Sequence, residues 1–156
     1  MTKTVLSLIA LCAAVSAAGA LAQVPAPAAS AAVVAPTDDS LFRALGGEAG
    51  IARIVDDFVP RLVADARTGE FFKRANQAHL KQMLAQQFCA VSGGGCVYTG
   101  LSMQQAHRDI DISKGDFNAL VEVLQASMDA QDVPFGTQNR LLARLAPMHR
   151  DVVTVH

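Results

Sequence analysis

The feature that most narrows what this chain can fold into is a helical apolar rhythm cut by glycine clusters. Ile51, Ile54, Val55, Phe58 and Leu62 fall at i, i+3, i+4, i+7 and i+11, one face of an α-helix. Leu80, Leu84, Phe88 and Val91, with Met83 alongside, mark a second face. Phe117, Leu120, Val121, Leu124 and Met128 mark a third, and Leu141, Leu145, Met148 and Val152 a fourth, which Pro147 should kink. Gly46-Gly47 and Ser92-Gly93-Gly94-Gly95 stand between these runs, where they stop helices and turn the chain within a few residues. No stretch alternates polar and apolar residues long enough to make a strand, and no segment repeats, so the fold class is all-α.

Local signals add boundaries. Asp38–Leu45 reads as a short opening helix capped by Asp38 or Asp39. Pro60 removes a helix hydrogen bond and should kink or end the helix around it. Asp65–Lys73 reads as irregular, and Leu101–Ile110 as a short helix. Ser113 with Asp116 three residues later is a capping-box pattern. Val133-Pro134 should end the helix that this box opens, and Thr137 is placed to cap the last one.

Composition shifts sharply at Thr37. Residues 1–37 contain 25 apolar residues, 13 of them Ala, and a single charge, Lys3. An apolar stretch from Val5 to about Ala18, followed by Ala20-Leu21-Ala22, is the pattern of a secretory signal peptide over residues 1–22. Residues 23–37 are Ala/Pro-rich and uncharged, as a linker would be. Residues 38–156 then form one domain with ordinary soluble composition and net charge −2. The expected location is exported, periplasmic or secreted, with no stable membrane insertion after signal cleavage. The near-neutral balance, without a basic stripe, argues against a nucleic-acid partner. Cleavage would remove Cys12 and leave Cys89 and Cys96, a candidate disulfide in an exported domain; the alternative is two reduced, buried thiols.

Of the four histidines, His79 and His149 sit beside helical apolar positions and read as solvent-facing, and His156 is the last residue. His107 lies between Met103 and Ile110 and can point inward with them. A core histidine bonded to backbone is the plain alternative. A zinc site needs three or four protein ligands, and HxxxH, CxxC and HExxH are all absent. A single inward histidine is enough for haem, whose porphyrin supplies the iron's other four nitrogens.

At this point the chain resembles a known family. Leu45-Gly46-Gly47, Phe71-Phe72, Ser92-Gly93-Gly94, Tyr98-Thr99-Gly100 and Met103-x-x-Ala106-His107 occur in the order and spacing of group I truncated haemoglobins, as does the tail Leu145-Ala146-Pro147-Met148-x-x-Asp151-Val152. The resemblance covers about Ser40 to Val153. It implies a two-over-two globin in which two helix pairs sandwich the haem, and His107 as the proximal iron ligand. It implies Phe58, Val59, Leu80, Met83, Leu84 and Phe88 on the distal side, with Phe72 at its entrance. Ile112, Phe117 and Leu120 fall on the proximal side and floor, and Tyr98 and Met103 also fall against the cofactor.

The chain departs from the family where ligand chemistry is decided. A Tyr common in the second helix is Val59 here, and the distal Gln or His positions are Leu80, Met83 and Leu84. The nearest polar residues are Lys81, Gln82 and Gln87. The resemblance therefore implies a mostly apolar distal pocket, with iron five-coordinate or weakly six-coordinate through Met83. The absence of CxxCH implies non-covalent haem b. Expected partners are a diatomic gas (O2, NO or CO) and, for turnover of the nitric oxide dioxygenase type, a reductase. The competing readings are a small helical periplasmic interaction module without haem and a peroxidase-like enzyme; the latter lacks a distal histidine acid/base.

Overall fold

The first corner shows how glycine shapes the chain. Helix α1 (Ser40–Ala44) stops at Leu45, Gly46 takes the left-handed conformation at φ 85°, and α2 (Gly47–Ala64) sets off in a new direction. The corner is so tight that a Cβ at Gly50 would lie 1.9 Å from the carbonyl oxygen of Leu45. The computed structural model describes residues 38–155; the leader and linker assigned to residues 1–37, and His156, lie outside them.

After α2 come the single turn α3 (Gly69–Phe72), α4 (Gln77–Val91), the short α5 (Met103–His107) and α6 (Lys114–Ala130). The chain closes with α7 (Phe135–Leu145), a 3-10 turn at Ala146–Met148 and α8 (His149–Val152). Among the described residues there is no strand. Helix α2 packs on α4 and α6 on α7, and the pairs are stacked through contacts of α2 with α6 and of α4 with α7. This is the expected two-over-two arrangement. The core between the pairs holds Ile51, Ile54, Val55, Phe58, Val59, Leu62, Phe88, Leu124, Met128 and Leu141, none more than 2% exposed. Among the described residues no helix is long and apolar enough to cross a membrane.

Several boundaries differ from the sequence reading. Helix α2 does not end at Pro60 but runs on to Ala64. Pro60 faces solvent, while Val59 and Leu62 on the inner side are buried. Arg61 also pairs with Asp57 across the proline. In α6 the most buried positions are Ala119, Val123, Leu124, Ser127 and Met128, whereas Phe117, Leu120 and Val121 stay half-buried. The bulky apolar side chains thus turn partly away from the protein core. Helix α7 starts at Phe135, not Thr137: Pro134 occupies the cap position, and its carbonyl accepts from the amides of Thr137 and Gln138 at 2.8 and 3.0 Å. The short opening and fifth helices are trimmed to Ser40–Ala44 and Met103–His107, and the irregular 65–73 segment contains α3. The Asp116 capping box forms as expected, and Pro147 breaks the last helix into the 3-10 turn and α8.

Cys89, in the last turn of α4, and Cys96 are disulfide-bonded, with Cα atoms 5.7 Å apart. The enclosed turn tucks under α1, where the Phe42 amide donates to the Ser92 carbonyl at 3.1 Å.

Candidate functional site

Helix α5 is built from its caps. The Ser102 hydroxyl accepts from the Gln105 amide at 3.2 Å, and the Gln105 side chain accepts from the Ser102 amide at 3.2 Å. That box starts five residues of helix, none of them buried. His107 closes it. The His107 Nδ1 lies 2.7 Å from the Met103 carbonyl oxygen. A carbonyl oxygen has no proton to give, so Nδ1 carries the hydrogen and Nε2 keeps a free lone pair. Nε2 has no hydrogen-bond partner among the described residues. A ring with one nitrogen oriented by backbone and the other basic and unbonded is the arrangement of a metal-ligating histidine. The backbone bond expected of a core histidine exists, but it lies within the histidine's own helical turn and leaves the second nitrogen available.

Apolar side chains of α4, α5 and α6 are left half-covered. Leu80, Met83 and Leu84 of α4, Met103 of α5 and Phe117 and Leu120 of α6 are each partly exposed. A cavity of about 200 Å³ opens between Gln87, Ala90 and Val91 of α4, Tyr98 and Ser102 of the connecting loop, Met103 and Met148. None of these side chains is charged. The Gln87 amide nitrogen donates toward the sulfurs of Met103 and Met148 at 3.3 and 3.2 Å, which ties α4 to α5 and to the turn before α8. The Tyr98 hydroxyl donates to the Leu101 carbonyl at 3.0 Å.

The residues singled out from sequence fall into two groups. Phe58, Val59 and Phe88 are sealed in the core, and Phe72, Leu80, Leu84 and Leu120 pack half-buried against it. Met83, Tyr98, Met103, His107 and Phe117 lie half-buried nearer the surface, and Ile112 is buried beneath the loop after α5. Of the polar candidates, Lys81 is held by Asp56 at 2.8 Å and Gln82 is exposed. His79 is exposed as expected. His149 is not: it is half-buried, and its ring meets Phe117 edge-to-face at 4.8 Å. The 3-10 turn at Ala146–Met148 shifts the helical phase, so counting from Leu141 puts His149 on the wrong side. Thr154 also escaped the sequence reading, because it binds loop backbone and no apolar period marks it.

A larger open groove of about 380 Å³ lies elsewhere, between Arg61, Ala64, Asp65 and Arg67 on one side and Glu122, Val123 and Ala126 on the other. Its charges are spent on each other. Arg67 binds Asp65 at 3.0 Å and also Glu122, and its guanidinium, together with the Arg67 backbone amide, pulls the Asp65 carboxyl down to about 2. This is a clamp between the end of α2 and α6.

The bacterial-like globin family model matches residues 40–154, all but the margins of the helical domain. The chain is 30% identical over 115 residues to a group 1 truncated hemoglobin of Mycolicibacterium paratuberculosis, covering 74% of this chain and 85% of that one. This chain is a group I truncated globin. Two crystal structures carry the same fold. One is the Fe(III) form of truncated hemoglobin from Tetrahymena pyriformis, at 25% identity and TM-score 0.70, covering 72% of this chain and 97% of that one. The other is the 2/2 hemoglobin of Synechococcus sp. PCC 7002 in the cyanomet state with covalently attached heme, at 26% identity and TM-score 0.67, covering 73% and 97%.

As a globin the chain is a haem-binding protein, and its residues fit that group. His107 offers one basic nitrogen, and the half-covered apolar side chains of α4 and α6 are what a flat apolar cofactor would finish burying.

Proposed function

We propose that this truncated globin holds haem b non-covalently through His107 and binds diatomic gases on a distal side without a strong hydrogen-bond donor. The observation that carries the reading is the His107 ring, with Nδ1–H on the Met103 carbonyl at 2.7 Å and Nε2 free. When bound, haem supplies the iron that takes up O2, NO or CO. The protein sets how long each stays. Val59, Leu80, Met83 and Leu84 offer no proton, Lys81 is drawn away by Asp56, and Gln87 is turned to Met103 and Met148. Dioxygen in such a pocket bears partial negative charge and would gain roughly 1–3 kcal/mol from a donor. Without one it leaves quickly and the haem oxidises readily, while CO and NO depend less on that bond. Handling or sensing of nitric oxide and related gases fits better than oxygen storage. Turnover of the dioxygenase type would need a reductase as well as retained oxygen.

The leader read from residues 1–22 supports a location outside the cytoplasm, periplasmic or secreted. The Cys89–Cys96 disulfide supports that location, because such bonds persist in oxidising compartments.

Visible spectra of the ferric, ferrous and carbonmonoxy forms test the assignment directly. The wild-type chain should show a Soret band with five-coordinate ferrous iron, and His107→Ala should lose it, with partial recovery in added imidazole. Unchanged haem binding in His107→Ala would overturn the ligand assignment. A wild-type chain that takes up no haemin would favour the haem-free interaction module.

A further inference from the structure

The proximal helix has little of its own to hold it in place. With five residues and none buried, α5 draws little from the core and packs mainly on α8. Its amino end rests on the Ser102–Gln105 box and, through Met103, on Gln87. Its carboxyl side continues into the loop 108–112, and the carboxyl-terminal tail grips that loop. The Thr154 hydroxyl donates to the Ile110 carbonyl and accepts from the Ile112 amide at 2.9 Å. The Ile112 carbonyl accepts from the amides of Thr154 and Val155 at 2.9 and 3.1 Å. The Ile110 amide donates in turn to the His107 carbonyl at 3.0 Å, so an unbroken series of bonds joins Thr154 to the histidine's own backbone.

This clasp is sheltered. Ile112, Val152 and Val153 are at most 9% exposed, so the half-buried bonds of Thr154 run beside apolar side chains that lower the local dielectric. The far end of the loop is fixed independently, because Ser113 opens α6 through its capping box. Slack between α6 and His107 can therefore arise only in residues 108–112, and Thr154 removes it.

We propose that Thr154 is a positioning residue for His107, so that the chain's tail sets the tilt and hold of the iron ligand on haem. The proposal rests on His107 being that ligand. Groups that bias a metal-binding histidine from behind change metal hold by ten- to a hundredfold, which sets the expected scale.

The test compares Thr154→Val, which removes the hydroxyl at nearly constant volume, with Thr154→Ser, which keeps it. Two readouts are taken on the haem-loaded full chain: transfer of haem to excess apomyoglobin, and the iron–histidine stretching band of the ferrous protein. Thr154→Val should lose haem about tenfold faster and show a shifted or broadened band, while Thr154→Ser keeps the wild-type values. A valine variant with wild-type haem loss and an unmoved band overturns the proposal even if its melting temperature falls. So does a serine variant as impaired as the valine one. Amide exchange on the wild-type haem-free chain separates this proposal from the haem reading and requires no variant to fold. The Ile112 amide should be protected like the Phe117 amide, the first to be bonded to a backbone carbonyl in α6, and free exchange there removes the clasp. If the wild-type chain takes up no haem while Ile112 is protected, the His107 reading fails, and the positioning role built on it fails with it.

Discussion

Placing a hydrogen-bond donor on the distal helix should convert a leaky oxygen pocket into a retentive one, and Leu80→Gln is the substitution to make. Leu80 lies early in α4, half-buried, its side chain packed against the core. Gln has nearly the same helix propensity as Leu, so the backbone is not challenged. Losing about half of a leucine's burial costs about 1 kcal/mol, a fall in melting temperature of a few degrees. In return the amide can donate to dioxygen, a gain of roughly 1–3 kcal/mol, which slows its departure roughly 5- to 150-fold. Laser photolysis with carbon monoxide displacement reads that rate. Carbon monoxide association and dissociation should hardly change, and Leu80→Met, which alters shape without adding a donor, should leave the oxygen rate within about twofold. A folded, haem-loaded Leu80→Gln protein with unchanged oxygen kinetics would show that α4 does not present this position to the ligand. Slow oxygen release from the wild type would instead show that a donor already reaches it, and Gln87 would be the first residue to replace.

Other perturbations follow from the same geometry. Replacing both Cys89 and Cys96 with Ser should cost about 2.5 kcal/mol by loop-closure entropy, lowering the melting temperature by about 10 °C; calorimetry reads it, and alkylation with mass measurement should leave Cys89 and Cys96 of the wild type unmodified. Gly50→Ala forces the α1–α2 corner open, because the new Cβ would sit 1.9 Å from the Leu45 carbonyl oxygen; a loss above about 3 kcal/mol in denaturant unfolding is expected. The Asp65 carboxyl is held near 2 by Arg67, below its unfolded value of roughly 3.9, so its contribution is complete above that value and disappears as pH falls through about 2. Asp65→Asn should therefore flatten the pH dependence of stability between about pH 4 and 2. Acid butanone should extract the haem completely from the polypeptide; colour remaining with the chain would establish a covalent link like that named for the Synechococcus neighbour.

The sequence showed most of what packs and little of what turns. The faces through Ile51–Leu62 and Leu141 were legible because burial there follows the helical period. The α6 face was misread because its core side uses Ala119 and Ser127, small residues that carry no apolar signal, while bulky Phe117 and Leu120 are left half-covered. Pro60 looked like a stop because its exposure could not be seen, and His149 looked solvent-facing because a 3-10 turn breaks the count before it. Gly50 passed unnoticed inside a helical run: only the approach of Leu45 reveals why it has no side chain. His107 stood out as the candidate ligand through the ordered set of neighbours that the chain shares with its family. Its orienting bond to Met103, its connection to Gln87 and the grip of Thr154 follow from geometry that no spacing rule encodes.

The contrast between the sealed α2–α4–α6–α7 core and the unburied α5 has a kinetic consequence. Opening α5 need not disturb the core, so the free energy of that local opening is set by a handful of hydrogen bonds and its packing on α8, not by global stability. A newly made chain can then complete its scaffold first and admit its cofactor afterwards, with α5 as the door. Uptake would be fast compared with unfolding, and mutations that stabilise the core would lengthen the protein's lifetime without slowing how it is loaded.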